Sequence, residues 1–499
     1  MQYKWTVLTV TTIGVLMAGL DARIVIIGLP QVISALKADA EQGIWINQAY
    51  VLGSIAVFLL IGRLTDMFGR KRFYVCGFAI FTVGSGLTSL ASDPLQVIFF
   101  RIIQGIGAGI VLTNSIAIIT DATPKNELGF SLSVNNLGFR AGAMAGLTFS
   151  GFILSFLGDW RALFYVSIPI GVFGTIWAQK TIKEAPRERK AIRGCVDWVG
   201  FAAFTTFITS LLLVMTFAAY GVGSQMLTLT FSVLSIASLI GFVGYERRCQ
   251  NPLLDLSLFR IREFSGGIIA LLLNGIAWGA VLLLLSFYFQ LVLGFSPLEA
   301  GIRLIPFDVA FLVAGPLSGK LCDKYGYRIF TDSGIILSSV SLYLLSTLNA
   351  TTAYATSAFY MGLFGASIGL FSSPNMSSVI SAVPINRRGI GSAVRSTFLN
   401  VGMAFSLNLA ILIISFTIPY ALVTQIASGY ANSLDSEKAL FMEGLQSAYL
   451  WLAGLNALAI VPSFLRGRGS KAKNEKNYSK LNLDCDLGNS LFVEHKRTQ

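Results

Sequence analysis

Long apolar stretches, separated by short charged segments, occupy almost the whole chain. Most stretches reach about 20 residues, the length that an α-helix needs to cross the hydrocarbon core of a bilayer. The pattern therefore predicts an all-α integral membrane protein with 14 transmembrane helices. We place these spans near residues 6–30, 43–62, 73–91, 94–119, 128–157, 160–179, 196–219, 225–245, 264–292, 298–319, 329–349, 354–382, 389–420 and 443–465.

A charged phrase between the spans occurs twice, about half a chain apart. GRLTDMFGRK runs from Gly62 to Lys71, and GKLCDKYGYR runs from Gly319 to Arg328. Both contain glycine, cation, leucine, aspartate, aromatic, glycine and cation at identical spacing. The repeat indicates a duplicated membrane protein, in which two half-molecules face each other across a cavity.

The distance between the two phrases accommodates eight spans rather than six. The simplest architecture is therefore two pseudo-symmetric six-helix bundles plus two inserted helices. We expect an N-terminal bundle over 1–182, a linker with the inserted helices over 183–262, a C-terminal bundle over 263–465, and a disordered cytoplasmic tail over 466–499.

Composition agrees with a lipid-embedded chain. Of 499 residues, 54% are hydrophobic and only 12% are charged, whereas soluble proteins carry about 25% charged residues. The mean hydropathy is +0.69. The formal charge of +12 comes from cations at the ends of apolar runs. This placement favours the bilayer as a partner and argues against nucleic acid.

The residues that usually perform catalysis or bind metals are sparse. Five cysteines are scattered without a CxxC pair, and the only histidine is His495 in the polar tail. We therefore expect no metal site and no enzyme activity, since no nucleophile–base pair stands out either. No GxxxxGK[ST] motif occurs, which disfavours ATP as the energy source. We expect no cofactor; a proton gradient would supply the energy.

The distribution of cations predicts the orientation. If the N-terminus lies inside, the loops on the outer side hold only Lys37, Arg161 and Lys438. Cytoplasmic loops carry an excess of Lys and Arg, so both termini should be cytoplasmic. The first apolar stretch is too long for a signal peptide. We expect a monomeric, multi-pass protein of the cell (plasma or inner) membrane.

Further motifs follow the loop phrase in a fixed order. RIIQGIGAG runs from Arg101 to Gly109, DWRALFYVSIPIG from Asp159 to Gly171, and GFSPLEAGIRLIPF from Gly294 to Phe307. With the repeat, they make the chain resemble the major facilitator superfamily, and specifically its fourteen-helix drug:proton antiporter branch, over roughly residues 6–465. The resemblance implies a secondary active transporter that works by alternating access on a small-molecule substrate.

The resemblance assigns the repeated phrase to a cytoplasmic gate that latches the two halves. Gly62 and Gly69 permit a tight turn, and Asp66 can face a neighbouring helix N-terminus. The alternative is a plain turn with positive charge inside, which does not explain the repeated glycine–aspartate–glycine spacing. The predicted gate comprises Gly62, Arg63, Asp66, Gly69, Arg70, Lys71, Gly319, Lys320, Asp323, Gly326 and Arg328.

Asp21 lies within the first span. An unpaired carboxylate at this depth is costly and is by default a functional candidate. Burial would also favour its protonated form. The resemblance implies that an acid here binds a cationic substrate or the coupling proton. The alternative is a structural carboxylate paired with a neighbouring helix.

Arg23 departs from the antiporter pattern, which has a small or hydroxyl residue at that place. Two residues along a helix correspond to a rotation of about 200°, so Asp21 and Arg23 should face apart. An arginine in the cavity would favour an anionic or zwitterionic substrate.

Arg101 and Gln104 lie three residues apart in the fourth span and therefore share a helix face. The resemblance ties this arginine to proton coupling. The alternative is a buried tie to a carboxylate or carbonyl that holds helices together.

Other polar residues lie at membrane depth. Arg140 lies in the fifth span, two residues after Gly138. The Gly-Pro pair of the antiporter signature is missing from this span. We expect Arg140, Asn274, Asp308 and Arg395 to line the substrate or proton pathway with the residues above. Asp308 would pair with Arg23, Arg140 or Arg395.

Three functions fit these observations. The first is proton-coupled export of small organic molecules, as in multidrug efflux. The second is proton-coupled symport of an anionic or zwitterionic solute, favoured by the intramembrane arginines. The third is a non-transporting membrane sensor on the same fold. The sequence does not encode the substrate, because such cavities recognise ligands without a short motif.

Overall fold

The computed structural model describes residues 3–124, 127–184, 197–219, 224–249, 252–384, 388–417 and 435–467. Most of the predicted tail, residues 468–499, lies outside this described part. The helices are α1 Tyr3–Leu36, α2 Ala40–Phe68, α3 Arg70–Leu90, α4 Pro94–Ala122, α5 Leu128–Leu157, α6 Ala162–Tyr165, α7 Ser167–Thr181, α8 Trp198–Ala219, α9 Gln225–Glu246, α10 Arg262–Trp278, α11 Val281–Phe287, α12 Pro297–Arg303, α13 Ile305–Tyr325, α14 Tyr327–Leu345, α15 Tyr354–Ala382, α16 Arg388–Thr417, α17 Asp435–Leu458 and α18 Ile460–Leu465.

Among the described residues, fourteen helical segments are long and apolar enough to cross a membrane. This confirms the predicted number of spans and the all-α class. Several spans consist of two consecutive helices: the sixth is divided at Val166, and the tenth at Leu304, two residues before Pro306. The ninth ends in a π-helical turn over Tyr288–Val292. By contrast, α15 continues through Pro374.

The helix starts carry local signals that fix where the spans begin. Asp39 forms a capping box with Gln42 at the start of α2. Ser296 and Glu299 form another at the start of α12, with Pro297 at the first helical position. Such caps satisfy backbone N–H groups that have no partner within the helix, so they define the turns between spans.

The two repeated phrases form equivalent turns. Gly69 separates α2 from α3 with φ 108°, and Gly326 separates α13 from α14 with φ 83°. These positive angles favour glycine. The prediction that Gly62 also forms the turn is wrong, because Gly62 lies inside α2. The single residue Gly69 suffices for the reversal.

We refer to helices α1–α7 and helices α10–α18 as the two parts of the chain. Close helix packing recurs in both. A Cβ atom on Gly105 would lie 2.1 Å from the carbonyl oxygen of Tyr50, where α4 crosses α2. A Cβ atom on Gly365 would lie 2.1 Å from the carbonyl oxygen of Phe307, where α15 crosses α13. Small residues let membrane helices approach to backbone distance, so the same type of contact holds equivalent helix pairs together.

We call the face at which α1 begins the N-terminal face, and the face at which α1 ends the opposite face. Towards the opposite face, one apolar core joins helices from both parts of the chain, for example Ile27 and Ile33 with Leu284 and Tyr288. Towards the N-terminal face, a core with Val10, Tyr74 and Ile118 contains only residues from α1–α7 and the residue that follows α7. Another core, with Ile335 and Phe371, contains only residues from α10–α18.

The two parts also meet along their flanks. On one flank, a cluster that includes Leu59, Phe204, Val379 and Val394 joins α2 and α8 to α15 and α16. On the other, α5 packs against α12 and α13. Helix α9 packs on α8, with Phe231 stacked on Phe217. Helices α4 and α15, by contrast, pack mainly on helices of their own part. The molecule is thus closed towards the opposite face.

Candidate functional site

Asp21 on α1 forms a compact buried cluster with two residues of α4. Arg101 Nη1 donates to Asp21 Oδ2 over 2.6 Å, and Gln104 Nε2 donates to Asp21 Oδ1 over 2.8 Å. Arg101 Nη1 also donates to Gln104 Oε1 over 2.8 Å. All three side chains are 0% exposed. We call Asp21, Arg101 and Gln104 the carboxylate cage.

Backbone and aromatic groups complete the surroundings of Arg101. Its Nε donates to the carbonyl oxygen of Ile46 over 3.3 Å. The guanidinium carbon lies 4.5 Å from the ring centre of Tyr50 and 5.6 Å from that of Phe164. Rings stabilise a cation through their negative faces. The charges of Asp21 and Arg101 thus balance each other, while Arg101 Nη2 is buried without a hydrogen-bond partner among the described residues. The geometry fits a helix tie as well as a proton site.

A second ion pair joins the two parts of the chain. Arg23 Nη1 on α1 donates to Asp308 Oδ1 on α13 over 2.7 Å. The side chains are 9% exposed each, and Arg23 also lies 5.7 Å from the ring centre of Phe307. As predicted from the helical rotation, Asp21 and Arg23 have different partners. Of the three arginines proposed for Asp308, the structure pairs it with Arg23.

Two more arginines lie close to this ion pair. The guanidinium of Arg140 stacks over Phe311, 3.9 Å from its ring centre. It also interacts electrostatically with Arg23, Asp308 and Arg395. Arg395 is buried, and its Nε has no hydrogen-bond partner. Within the described part of the chain, neither Arg140 nor Arg395 has a hydrogen-bonded or ion-paired carboxylate.

We call Arg23, Arg140, Arg395 and Asp308 the central charge cluster. In the same order, these residues lie on α1, α5, α16 and α13, so four helices from both parts of the chain supply the cluster. Charged side chains at membrane depth are expensive and usually mark a substrate or ion pathway. The structure thus brings together four of the residues that the sequence placed at membrane depth.

Asn274 lies apart from both clusters. Its Nδ2 donates to Asn456 Oδ1 over 2.9 Å. Asn456 in turn donates to the carbonyl oxygen of Ile335 and to the hydroxyl of Ser338. This network joins α10, α14 and α17 and accounts for the polar character of Asn274 as a contact between helices.

The turns of the repeated phrases place their arginines against neighbouring helices. Arg70 binds Asp121 over 2.7 Å and the carbonyl oxygen of Ala117 over 2.8 Å, both on α4. Arg328 binds Asp332 over 3.4 Å and stacks 4.1 Å from the ring of Phe464. Both arginines thus contact their own part of the chain.

The remaining residues of the predicted gate divide into two groups. Gly319 lies inside α13, like its counterpart inside α2. Lys71 is partly buried in the first turn of α3, and Lys320 is exposed. The side chains of Arg63, Asp66 and Asp323 lie outside the described part of the structure. The gating role of the phrase therefore remains a prediction.

Sequence reasoning missed the polar contacts that join the two parts near the opposite face. Gln48 Nε2 donates to the carbonyl oxygen of Ala404 over 2.6 Å. Gln290 Nε2 donates to the carbonyl oxygen of Ile27 over 3.1 Å. Both residues are amides within predicted spans, and an amide at membrane depth indicates a hydrogen bond between helices.

No group of three or more His, Cys, Asp or Glu residues that could hold a metal occurs among the described residues. The polar groups of both clusters are arginine, glutamine and aspartate side chains. Their arrangement can bind and release protons or anions and can tie helices together.

Comparisons with known proteins identify the family. The family model for the Major Facilitator Superfamily matches residues 11–407. The chain is 30% identical to "Riboflavin transporter RibZ" of Clostridioides difficile, over 81% of this chain and 87% of the relative. It is 31% identical to "Uncharacterized transporter YebQ" of Escherichia coli, over 79% and 86%. It is 26% identical to "Tetracenomycin C resistance and export protein" of Streptomyces glaucescens, over 80% and 73%.

Solved structures show the same fold. A bacterial homologue of the human lysosomal transporter Spinster, in an inward-facing, unoccupied conformation, aligns with TM-score 0.64 and 15% identity over 94% of this chain and 99% of that chain. A D-xylose–proton symporter aligns with TM-score 0.61 and 16% identity over 93% and 97%. The chain belongs to the Major Facilitator Superfamily. It is a multi-pass secondary transporter of small molecules and not an enzyme.

Proposed function

We propose that this transporter exports small organic molecules in exchange for protons, and that Asp21 carries the coupling proton. The observation that carries the proposal is the carboxylate cage: a fully buried acid that is ion-paired with Arg101 and hydrogen-bonded to Gln104, both on α4. A buried acid of this kind changes its charge whenever its partner moves away.

The two parts of the chain would rock as bodies around the central charge cluster. The proposed bodies are residues 1–182 and 263–465, with the inserted helices within 183–262 on one flank. The cation distribution makes the N-terminal face cytoplasmic. With the opposite face closed by a shared apolar core, the structure corresponds to the inward-facing state in this proposal.

Proton coupling follows from the cost of breaking the cage. Removal of one partner of a buried ion pair costs about 3–5 kcal/mol, because the other charge stays uncompensated. Protonation of Asp21 removes its charge and weakens its hold on Arg101. Rocking of the bodies would therefore have to be accompanied by a small shift of α1 against α4 within the first body; such a shift would favour the protonated acid, and proton release would favour the cage again.

The names of relatives support export but do not fix it. Relatives include a tetracenomycin C export protein and "Multidrug resistance protein Stp" of Mycobacterium tuberculosis, whereas another is a riboflavin transporter. Symport of an anionic solute is the second candidate, favoured by the excess of arginine in the central charge cluster. A non-transporting sensor is the third, and it predicts no substrate flux at all.

Reconstituted vesicles test the proposal. The purified protein is inserted into liposomes that contain a pH-sensitive dye, and riboflavin or tetracenomycin C is added on one side. Antiport predicts proton movement opposite to the substrate. Symport predicts movement of both in the same direction, and a sensor predicts neither. Substrate flux without any proton movement would refute proton coupling.

A further inference from the structure

We propose that the central charge cluster binds an acidic group of the substrate, a carboxylate or a phosphate, and that the transported molecules are organic anions. This inference rests on the proposed function, because it takes the interface between the two bodies as the substrate site. It names the chemical class that this interface selects.

The central charge cluster carries an excess of positive charge. The cluster contains three guanidinium groups, of Arg23, Arg140 and Arg395, and a single carboxylate, of Asp308. An isolated charge is strongly disfavoured in a low-dielectric interior. In the described structure, the carboxylate is ion-paired with Arg23, so three positive charges share one negative charge and neither Arg140 nor Arg395 has a described ion pair. An anion of one or two charges would supply it.

Two of the guanidinium groups come from different bodies. Arg140 extends from α5 and Arg395 from α16, and their like charges repel each other. Arg395 is more than nine-tenths buried and leaves its Nε without an acceptor. Guanidinium groups offer paired N–H donors that match carboxylate and phosphate oxygens. Among the described residues, the two side chains therefore leave donors unused, one side chain in each body.

Aromatic rings lie next to the guanidinium groups of the cluster. On α13, Phe311 stands three residues after Asp308 and shares its helix face, and Phe307 lies one turn before Phe311. Their rings contact Arg23 and Arg140 respectively. An apolar or aromatic body next to the acidic group would pack against these rings. The cluster thus fits an amphiphilic anion better than a small inorganic one.

Asp308 then acts as an internal competitor. It occupies Arg23 in the absence of substrate. A bound anion would share the guanidinium groups with Asp308 and weaken the only described ion pair between the two bodies. Removal of the Asp308 charge should therefore strengthen anion binding, which is the reverse of the usual effect of deleting a polar residue from a binding site.

Binding to the purified full-length protein in lipid nanodiscs tests the inference without a pH gradient. The probes are two matched pairs at constant ionic strength: phenyl phosphate with phenol, and benzoate with benzamide. Apparent dissociation constants come from the dependence of the thermal unfolding midpoint on probe concentration. We expect each anion to stabilise the protein at concentrations at which its neutral partner does not.

Variants assign the effect to the cluster. Arg140→Gln and Arg395→Gln should each weaken anion binding by about tenfold or more, and Asp308→Asn should strengthen it. Arg140→Lys and Arg395→Lys keep the charge and serve if the glutamine variants do not fold. Arg303→Gln is the control, because Arg303 stacks 3.9 Å from the ring of Phe295, as Arg140 does on Phe311, but on α12.

Equal stabilisation by anions and neutral partners, or none by either, would overturn the inference, as would anion binding that survives both glutamine substitutions. A failure of proton coupling would be visible separately. These binding measurements are made without a pH gradient, so a protein that moves no protons would still be expected to bind phenyl phosphate.

Discussion

Arg23 and Asp308 are 285 positions apart in the chain and form a buried 2.7 Å ion pair between α1 and α13. The pair connects the two parts of the molecule at the depth where the other intramembrane charges gather. A buried pair contributes little net stability when intact, but is costly to break on one side. It therefore suits a contact that must form in one state and open in another.

Breaking this pair on one side should destabilise the protein more than removing it entirely. Arg23→Gln and Asp308→Asn each leave a charge without its partner, whereas the double variant leaves none. We expect a coupling free energy of about 1–3 kcal/mol in a double-mutant cycle of unfolding. Strictly additive losses would mean that the two side chains do not interact.

Glycine packing offers a second prediction. In Gly105→Ala, the new methyl group would meet the backbone of Tyr50 at 2.1 Å, where backbone atoms cannot yield without moving α2. Overpacking of this kind costs about 1–3 kcal/mol. Gly241→Ala is the matched control, because nothing lies within 4 Å of the added atom. Thermal unfolding in detergent should separate the two variants; equal midpoints would contradict the close approach.

Accessibility labelling tests the duplication and the orientation together. Single cysteines at Arg70 and Arg328 should react with a membrane-impermeant maleimide only after cells are permeabilised, and one at Lys37 should react in intact cells. The background variant replaces Cys76, Cys195, Cys249, Cys322 and Cys485. Reaction of positions 70 and 328 from opposite sides would contradict the duplicated architecture.

The arginines of the repeated phrases should affect transport rate rather than substrate affinity. Arg70 ties the turn after α2 to Asp121 and Ala117 on α4. It is not a member of the central charge cluster. We expect Arg70→Gln to lower kcat with little change in KM, because it changes how helices move and not how substrate is held. A raised KM with unchanged kcat would instead indicate a substrate contact.

The sequence predicted the fold well because the dominant signals are local. Span number follows from apolar length, and the turn at Gly69 follows from a repeated phrase. The error at Gly62 has a local cause too: a glycine that reads as a turn residue also fits within a helix. Hydrogen-bond periodicity, not residue type, decided its place inside α2.

The partners of the buried charges were harder to predict. Helical rotation correctly separated Asp21 from Arg23, since it concerns a single helix. The choice of Arg23 for Asp308, and the pairing of Asn274 with Asn456, depend on which helices meet and at what height. Those distances arise from packing between remote segments, and one sequence carries no direct record of them.

The central claim is that Asp21 couples protons to substrate movement, and a pH gradient imposed on vesicles tests it most directly. With a substrate identified by flux, wild-type protein should accumulate it against its concentration gradient when the pH differs across the membrane. Asp21→Asn should exchange substrate down its gradient but accumulate none, and Asp39→Asn, which keeps a capping side chain at the start of α2, should behave as wild type. Accumulation by Asp21→Asn equal to that of the wild type would contradict the account.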